Sequence, residues 1–119
     1  MKANRPGATA RDLSLAILVA ELTDVAYAVA LRYGVSGSWI DLQLDLWGVL
    51  AEAVERAESP STGSLDEIET WREGLLADMT AVAYRTALRH GLRGPFLEVG
   101  RGLYQALRPV VTCAGEAAS

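Results

Sequence analysis

Residues 23–37, TDVAYAVALRYGVSG, return fifty-seven positions later as residues 80–94, TAVAYRTALRHGLRG. Nine of the fifteen positions are identical: Thr23/Thr80, Val25/Val82, Ala26/Ala83, Tyr27/Tyr84, Ala30/Ala87, Leu31/Leu88, Arg32/Arg89, Gly34/Gly91 and Gly37/Gly94. Helical segments of ordinary composition agree by chance at roughly one position in ten, so the match marks an internal duplication. It runs on without a gap in both directions. Downstream, Trp39/Phe96, Ile40/Leu97, Asp41/Glu98, Leu42/Val99, Leu46/Leu103, Trp47/Tyr104 and Leu50/Leu107 are chemically equivalent, and upstream so are Leu18/Leu75, Val19/Leu76, Glu21/Asp78 and Leu22/Met79. Self-similarity at a fixed period makes each copy one supersecondary unit that cannot bury its apolar face alone.

Each copy reads as helix, glycine turn, helix. Gly34 and Gly91 follow Ala-Leu-Arg-aromatic endings, where a left-handed residue closes a helix and an apolar successor, Val35 or Leu92, packs back on it. Ser38 with Asp41 three residues later predicts a capping box for the second helix. The equivalent helix of copy two opens at Pro95, where a missing N–H costs nothing. Residues 58–63 are rich in turn formers and predict a linker, after which Ser64 and Glu67 fit another capping box. The expected helices are 9–33, 38–58, 64–90 and 95–108, with Pro109 ending or kinking the last one. Two related hairpins predict an all-α, single-domain four-helix bundle over residues 1–119, folded about a pseudo-two-fold axis. Hairpin one spans 9–58, the linker 59–63, hairpin two 64–108, and a flexible tail 109–119. In the second helix of each unit, positions 39, 42, 46 and 50, with 96, 99, 103 and 107, form one apolar stripe. Ile40 and Trp47, with Leu97 and Tyr104, widen it beyond what a surface helix needs, which predicts burial on more than one side.

Composition agrees with this fold and narrows function. Half the 119 residues are apolar but only 7% are aromatic, so alanine and leucine, the best helix formers, must fill the core. A net charge of −4 disfavours general binding to nucleic acid, which needs an excess of basic residues. Residues 41–78 hold ten acids against Arg56 and Arg72, whereas residues 85–119 hold five arginines against Glu98 and Glu116. Helical faces of opposite sign inside one bundle account for that split. The lone Cys113 excludes an internal disulfide and points to a reducing cytoplasm. Leu13–Ala20 is apolar after a basic start, but Glu21 and Asp24 follow without a cleavage site, so it reads as a buried helix rather than a signal peptide or membrane span.

Several motifs invite a chemical reading. Ala30, Gly34, Val35 and Ile40 fit the turn of a DNA-reading helix-turn-helix. The helix that follows carries Asp41 and Asp45 and no basic residue before Arg56, so it cannot approach phosphates. Arg32 with Asp41 and Arg89 with Glu98 recur at the same spacing and predict an ion pair stapling each hairpin. Glu21 and Asp78, each in mid-helix beside apolar residues and beside Thr23 or Thr80, are candidates for partly buried carboxylates facing across the axis. No histidine joins them, and Glu52, Glu55 and Glu58 lack a second acidic motif, so no metal or cofactor is expected. Arg85 and His90 enclose four residues. This spacing resembles the arginine–histidine motif of HEPN-type ribonucleases, small helical proteins that dimerise to join two such motifs. The resemblance covers six residues and implies Arg85 and His90 as a catalytic pair acting on RNA. Thr86 departs from the polar amide or acid of that family, and a helix C-terminus attracts arginine and histidine in any case.

The copies also differ in a pattern. Leu15, Ala28, Leu44 and Ala51 of copy one correspond to Arg72, Arg85, Arg101 and Arg108 of copy two. Residues seven apart share a helix face, so Leu44 and Ala51 give one hairpin an apolar outer side where its twin carries Arg101 and Arg108. Exposed apolar surface of this kind marks a subunit contact. The expectation is a non-enzymatic protein–protein interaction module that homodimerises through Leu15, Leu44 and Ala51. Arg85, Arg101 and Arg108 are then free for a protein or other anionic partner. The alternative is a small-molecule sensor whose pocket on the axis is lined by Tyr27, Trp47, Tyr84 and Tyr104.

Overall fold

The computed structural model describes residues 10–57 and 65–118, with side chains described over 15–57 and 65–112. The described residues form four helices: α1 (Ala10–Tyr33), α2 (Trp39–Arg56), α3 (Leu65–Arg89) and α4 (Phe96–Ala118). Short turns after α1 and α3 force antiparallel neighbours. Both α1 and α3 pack against α2 and α4, so α2 and α4 occupy opposite corners of a compact bundle. The linker expected over 59–63 and the cap at Ser64 lie outside the described residues.

The core follows from spacing. Leu42, Leu46, Leu50 and Ala53 fall on one side of α2 and are all buried, as the helical period requires. Val99, Leu103 and Leu107 do the same on α4, meeting Leu22, Leu76 and Met79 on the long helices. Across residues 15–55 and their counterparts 72–112, no side chain buried in one copy is exposed in the other.

The turns show how sequence sets the ends. Gly34 (φ +84°) and Gly91 (φ +89°) both take the left-handed conformation. At the end of α3 the full closing motif forms: Gly91 N–H donates to Leu88 O and Leu92 N–H to Ala87 O, both at 3.0 Å. Leu92 is buried as the apolar residue of that motif. The expected capping box at α2 does not form, because the Ser38 side chain makes no cap hydrogen bond. What starts both helices is a backbone carbonyl at the equivalent position: Leu42 N–H donates to Ser38 O and Val99 N–H to Pro95 O, each at 3.0 Å. Pro95 is thus the cap residue itself, one position before the first helical turn.

The last helix does not stop at Arg108. It continues through Pro109 to Ala118. Pro109 and Gln105 are both exposed, so water can satisfy the carbonyl that proline leaves without a donor. Buried Val111 holds the next turn onto the core.

Candidate interaction surface

With Leu42, Leu46, Leu50 and Ala53 facing inward, the helical period turns residues 40, 44, 47, 48 and 51 of α2 outward. There Ile40 is 49% exposed, Leu44 66% and Trp47 41%, with Ala51 half-buried beside them. Gly48 sits among them with open space where a Cβ would stand, so a partner helix can come close. The predicted second burial of this helix is therefore not supplied within one chain: its outer ridge is apolar and uncovered. Trp39 is likewise exposed. Leu15 does not join the ridge; it is half-buried, seven residues before fully buried Leu22 on the same side of α1.

The equivalent ridge on α4 has another chemistry. Leu97 is 81% exposed, and Arg101, Gln105 and Arg108 follow it, all exposed. Arg85 is exposed too, but on α3. Tyr104 leans aside and donates its hydroxyl proton to the Glu73 carboxylate of α3. That bond is the largest cause of a phenol pKa raised above its ordinary value; desolvation and the Glu73 charge add to it, while Arg108 opposes it.

One flank of α2 is acidic and faces α3. His90 Nε2 and Asp45 Oδ2 lie 2.7 Å apart, and Arg56 bonds Asp78 of α3 at 2.9 Å and Glu52 at 3.3 Å. The Asp78 bond, reinforced by the charges of Asp78 and Glu52, raises the Arg56 pKa. The turn of copy one docks on the end of α3 as well, with Ser36 N–H donating to His90 O at 2.9 Å and Gly37 N–H at 3.3 Å.

This geometry overturns the hairpin staples. Asp41 lies one turn before Asp45, on the flank facing α3, whereas Arg32 borders a cleft of 440 Å³ between α1 and α4 together with Tyr33, Leu97, Glu98 and Arg101. Arg32 therefore shares a groove with the acid of the other copy, and Arg89 donates to Thr86 Oγ1 at 3.5 Å. The two mid-helix carboxylates do not meet either. Glu21 is exposed and Asp78 is paired with Arg56, because each stands one position off the core face. The neighbouring Thr23 and Thr80 are the buried members, and neither hydroxyl has a partner.

The four candidate pocket aromatics have separate duties. Tyr84 donates its hydroxyl proton to Gly94 O at 2.9 Å and meets Phe96 edge-on, ring centroids 5.1 Å apart. Tyr27 is half-buried against the core, Tyr104 is tied to Glu73, and Trp47 faces outward. The space between the helices is filled by leucines and Met79. Arg85 and His90 leave the chain about 140° apart around the helix, and His90 is already engaged by Asp45. Among the described residues no group of three or more His, Cys, Asp or Glu side chains gathers as a metal-binding set, and no helix is long and apolar enough to cross a membrane. The Asp45–His90 and Arg56–Asp78 links were not foreseen from sequence, since neither spacing nor motif marks them. No protein family, curated protein or solved structure matches the chain.

Proposed function

We propose that the protein is a non-enzymatic interaction module. It acts as a homodimer joined through the outer ridge of α2 and presents the arginine-bearing ridge of α4 to a protein partner. The observation that carries this reading is the apolar run Ile40, Leu44 and Trp47, exposed around an open Gly48 with half-buried Ala51 beside it. Small residues in such a ridge admit close helix packing, and large exposed apolar patches mark contact sites.

The bundle itself we read as a tandem duplication whose hairpins are related by a pseudo-two-fold axis. Contacts between the copies support this in exchanged pairs. His90 stands against Gly37, 3.0 Å from where its Cβ would be, and Tyr33 stands against Gly94 at 3.4 Å, so each pair maps onto the other by the fifty-seven-residue offset. Likewise His90 reaches Asp45 while Tyr33 lies over the equivalent Gly102. A single cysteine, with no internal disulfide to form, suits a reducing cytoplasm, where we place the module.

The test is Leu44→Arg, an exposed change that leaves the core intact. Light scattering on the eluting protein should show the variant as a monomer at concentrations where the unaltered chain is larger, with helicity by circular dichroism unchanged. A variant that associates as well as the parent overturns the assignment of the ridge.

A further inference from the structure

An uncovered ridge can meet its own counterpart across a two-fold axis, or a different surface of a second copy. Charge separates the two arrangements. α2 carries Asp41, Asp45, Glu52 and Glu55 against Arg56 alone, so a face-to-face pair of α2 helices brings two surfaces of net negative charge together beside a desolvated seam. Such a seam lies well inside the screening length of about 8–10 Å. The ridge of α4 offers the complement. Arg101 and Arg108 stand where α2 has Leu44 and Ala51, Leu97 stands where α2 has Ile40, and Glu98 is the one acid over residues 96–112. Asp45 and Glu52 are already engaged by His90 and Arg56, while Asp41 and Glu55 are exposed without an ion pair among the described residues.

We propose that the outer ridge of α2 in one copy docks on the outer ridge of α4 in the next. Long arginine side chains cover apolar surface with their stems while keeping the charged heads wet. In this contact the stems of Arg101 and Arg108 lie over Leu44, Gly48 and Ala51, and their guanidinium groups reach Asp41 and Glu55. Because α2 and α4 occupy opposite corners of the bundle, a copy that uses one ridge keeps the other free. Contacts between unlike surfaces propagate from copy to copy, as an open chain unless the rotation per step closes a ring. The proposal rests on the reading of α2 as the self-association face, and it replaces the two-copy assembly of that reading with one in which the partner of the α4 ridge is the next copy.

Sedimentation velocity on two blocked variants and their mixture tests it. Leu44→Arg removes a working α2 ridge, and the double variant Arg101→Glu/Arg108→Glu removes a working α4 ridge. Each alone should be monomeric, with association weakened about tenfold or more, as expected for breaking charge complementarity in a docked seam. Mixed in equal amounts they should form a one-to-one complex and nothing larger, because each supplies the ridge the other lacks. The unaltered chain should grow past a dimer as concentration rises and shrink again in high salt. Should Leu44→Arg lose helicity, Gly48→Arg blocks the same ridge by like-charge repulsion from a position with open space around it. An arginine double variant that still associates like the parent overturns the proposal while leaving α2 self-association standing. Monomeric variants whose mixture also stays monomeric overturn it too. A parent chain that is monomeric throughout removes both readings.

Discussion

At Gly91 two demands coincide: the backbone has φ +89°, and a Cβ there would run into Ser36 Oγ of the other turn, with Ser36 N only 3.2 Å away. Gly34 has a similar φ of +84° but nothing near its missing side chain. Gly34→Ala should therefore cost only the left-handed penalty, about 1–2 kcal/mol. Gly91→Ala should cost clearly more, because the two turns must also separate; urea unfolding of the pair measures the gap. Tyr104 gives a prediction in pH. Its phenol pKa is raised chiefly by the bond to Glu73, so the fold favours the neutral form. The resulting stability is complete below the ordinary phenol value and fades as pH climbs through the raised one. Above about pH 10 the urea midpoint should fall more steeply for the parent than for Tyr104→Phe; parallel curves contradict the bond. Both glycines were legible in the sequence because a helix stop is decided locally. The partner of Arg32 was not, since which flank Asp41 occupies depends on how α2 rotates after the turn, and the core leucines decide that.

Among the elements, α2 and α4 show which positions of the fifty-seven-residue repeat stay alike and which differ. The inward positions 42, 46 and 50 and their counterparts 99, 103 and 107 are leucine or valine, whereas the outward ridge differs, with Leu44 and Ala51 against Arg101 and Arg108. The exposed ridge on α2 was half legible: its excess apolar width was plain, while the fact that no second layer covers it needed the packing of α1 and α3. Leu15 was misplaced because correspondence with Arg72 says nothing about which side of α1 faces out. The run of α4 past Pro109 was missed for a related reason, as buried Val111 outweighs a local breaker. Replacing this proline with alanine restores a backbone donor in a helix that already exists. Pro109→Ala should raise stability by roughly 1–3 kcal/mol; a urea midpoint that falls would mean the proline shapes a bend the fold requires.

On the scale of the whole molecule, four helices and their order were readable because the apolar period and the fifty-seven-residue offset both repeat. The contacts that join the copies, His90 to Asp45 and Arg56 to Asp78, are long in sequence and carry no local signal. Acid is concentrated on α2 and the first half of α3, and arginine on the last turns of α3 and along α4. In the proposed assembly the apolar ridge beside the acid of one chain meets the basic ridge on the opposite corner of the next. The direct measurement is sedimentation equilibrium of the unaltered protein over a wide concentration range at low salt. The account predicts an average mass that rises steadily above the 12.7 kDa of one chain. A mass that stays at 12.7 kDa at every concentration contradicts it.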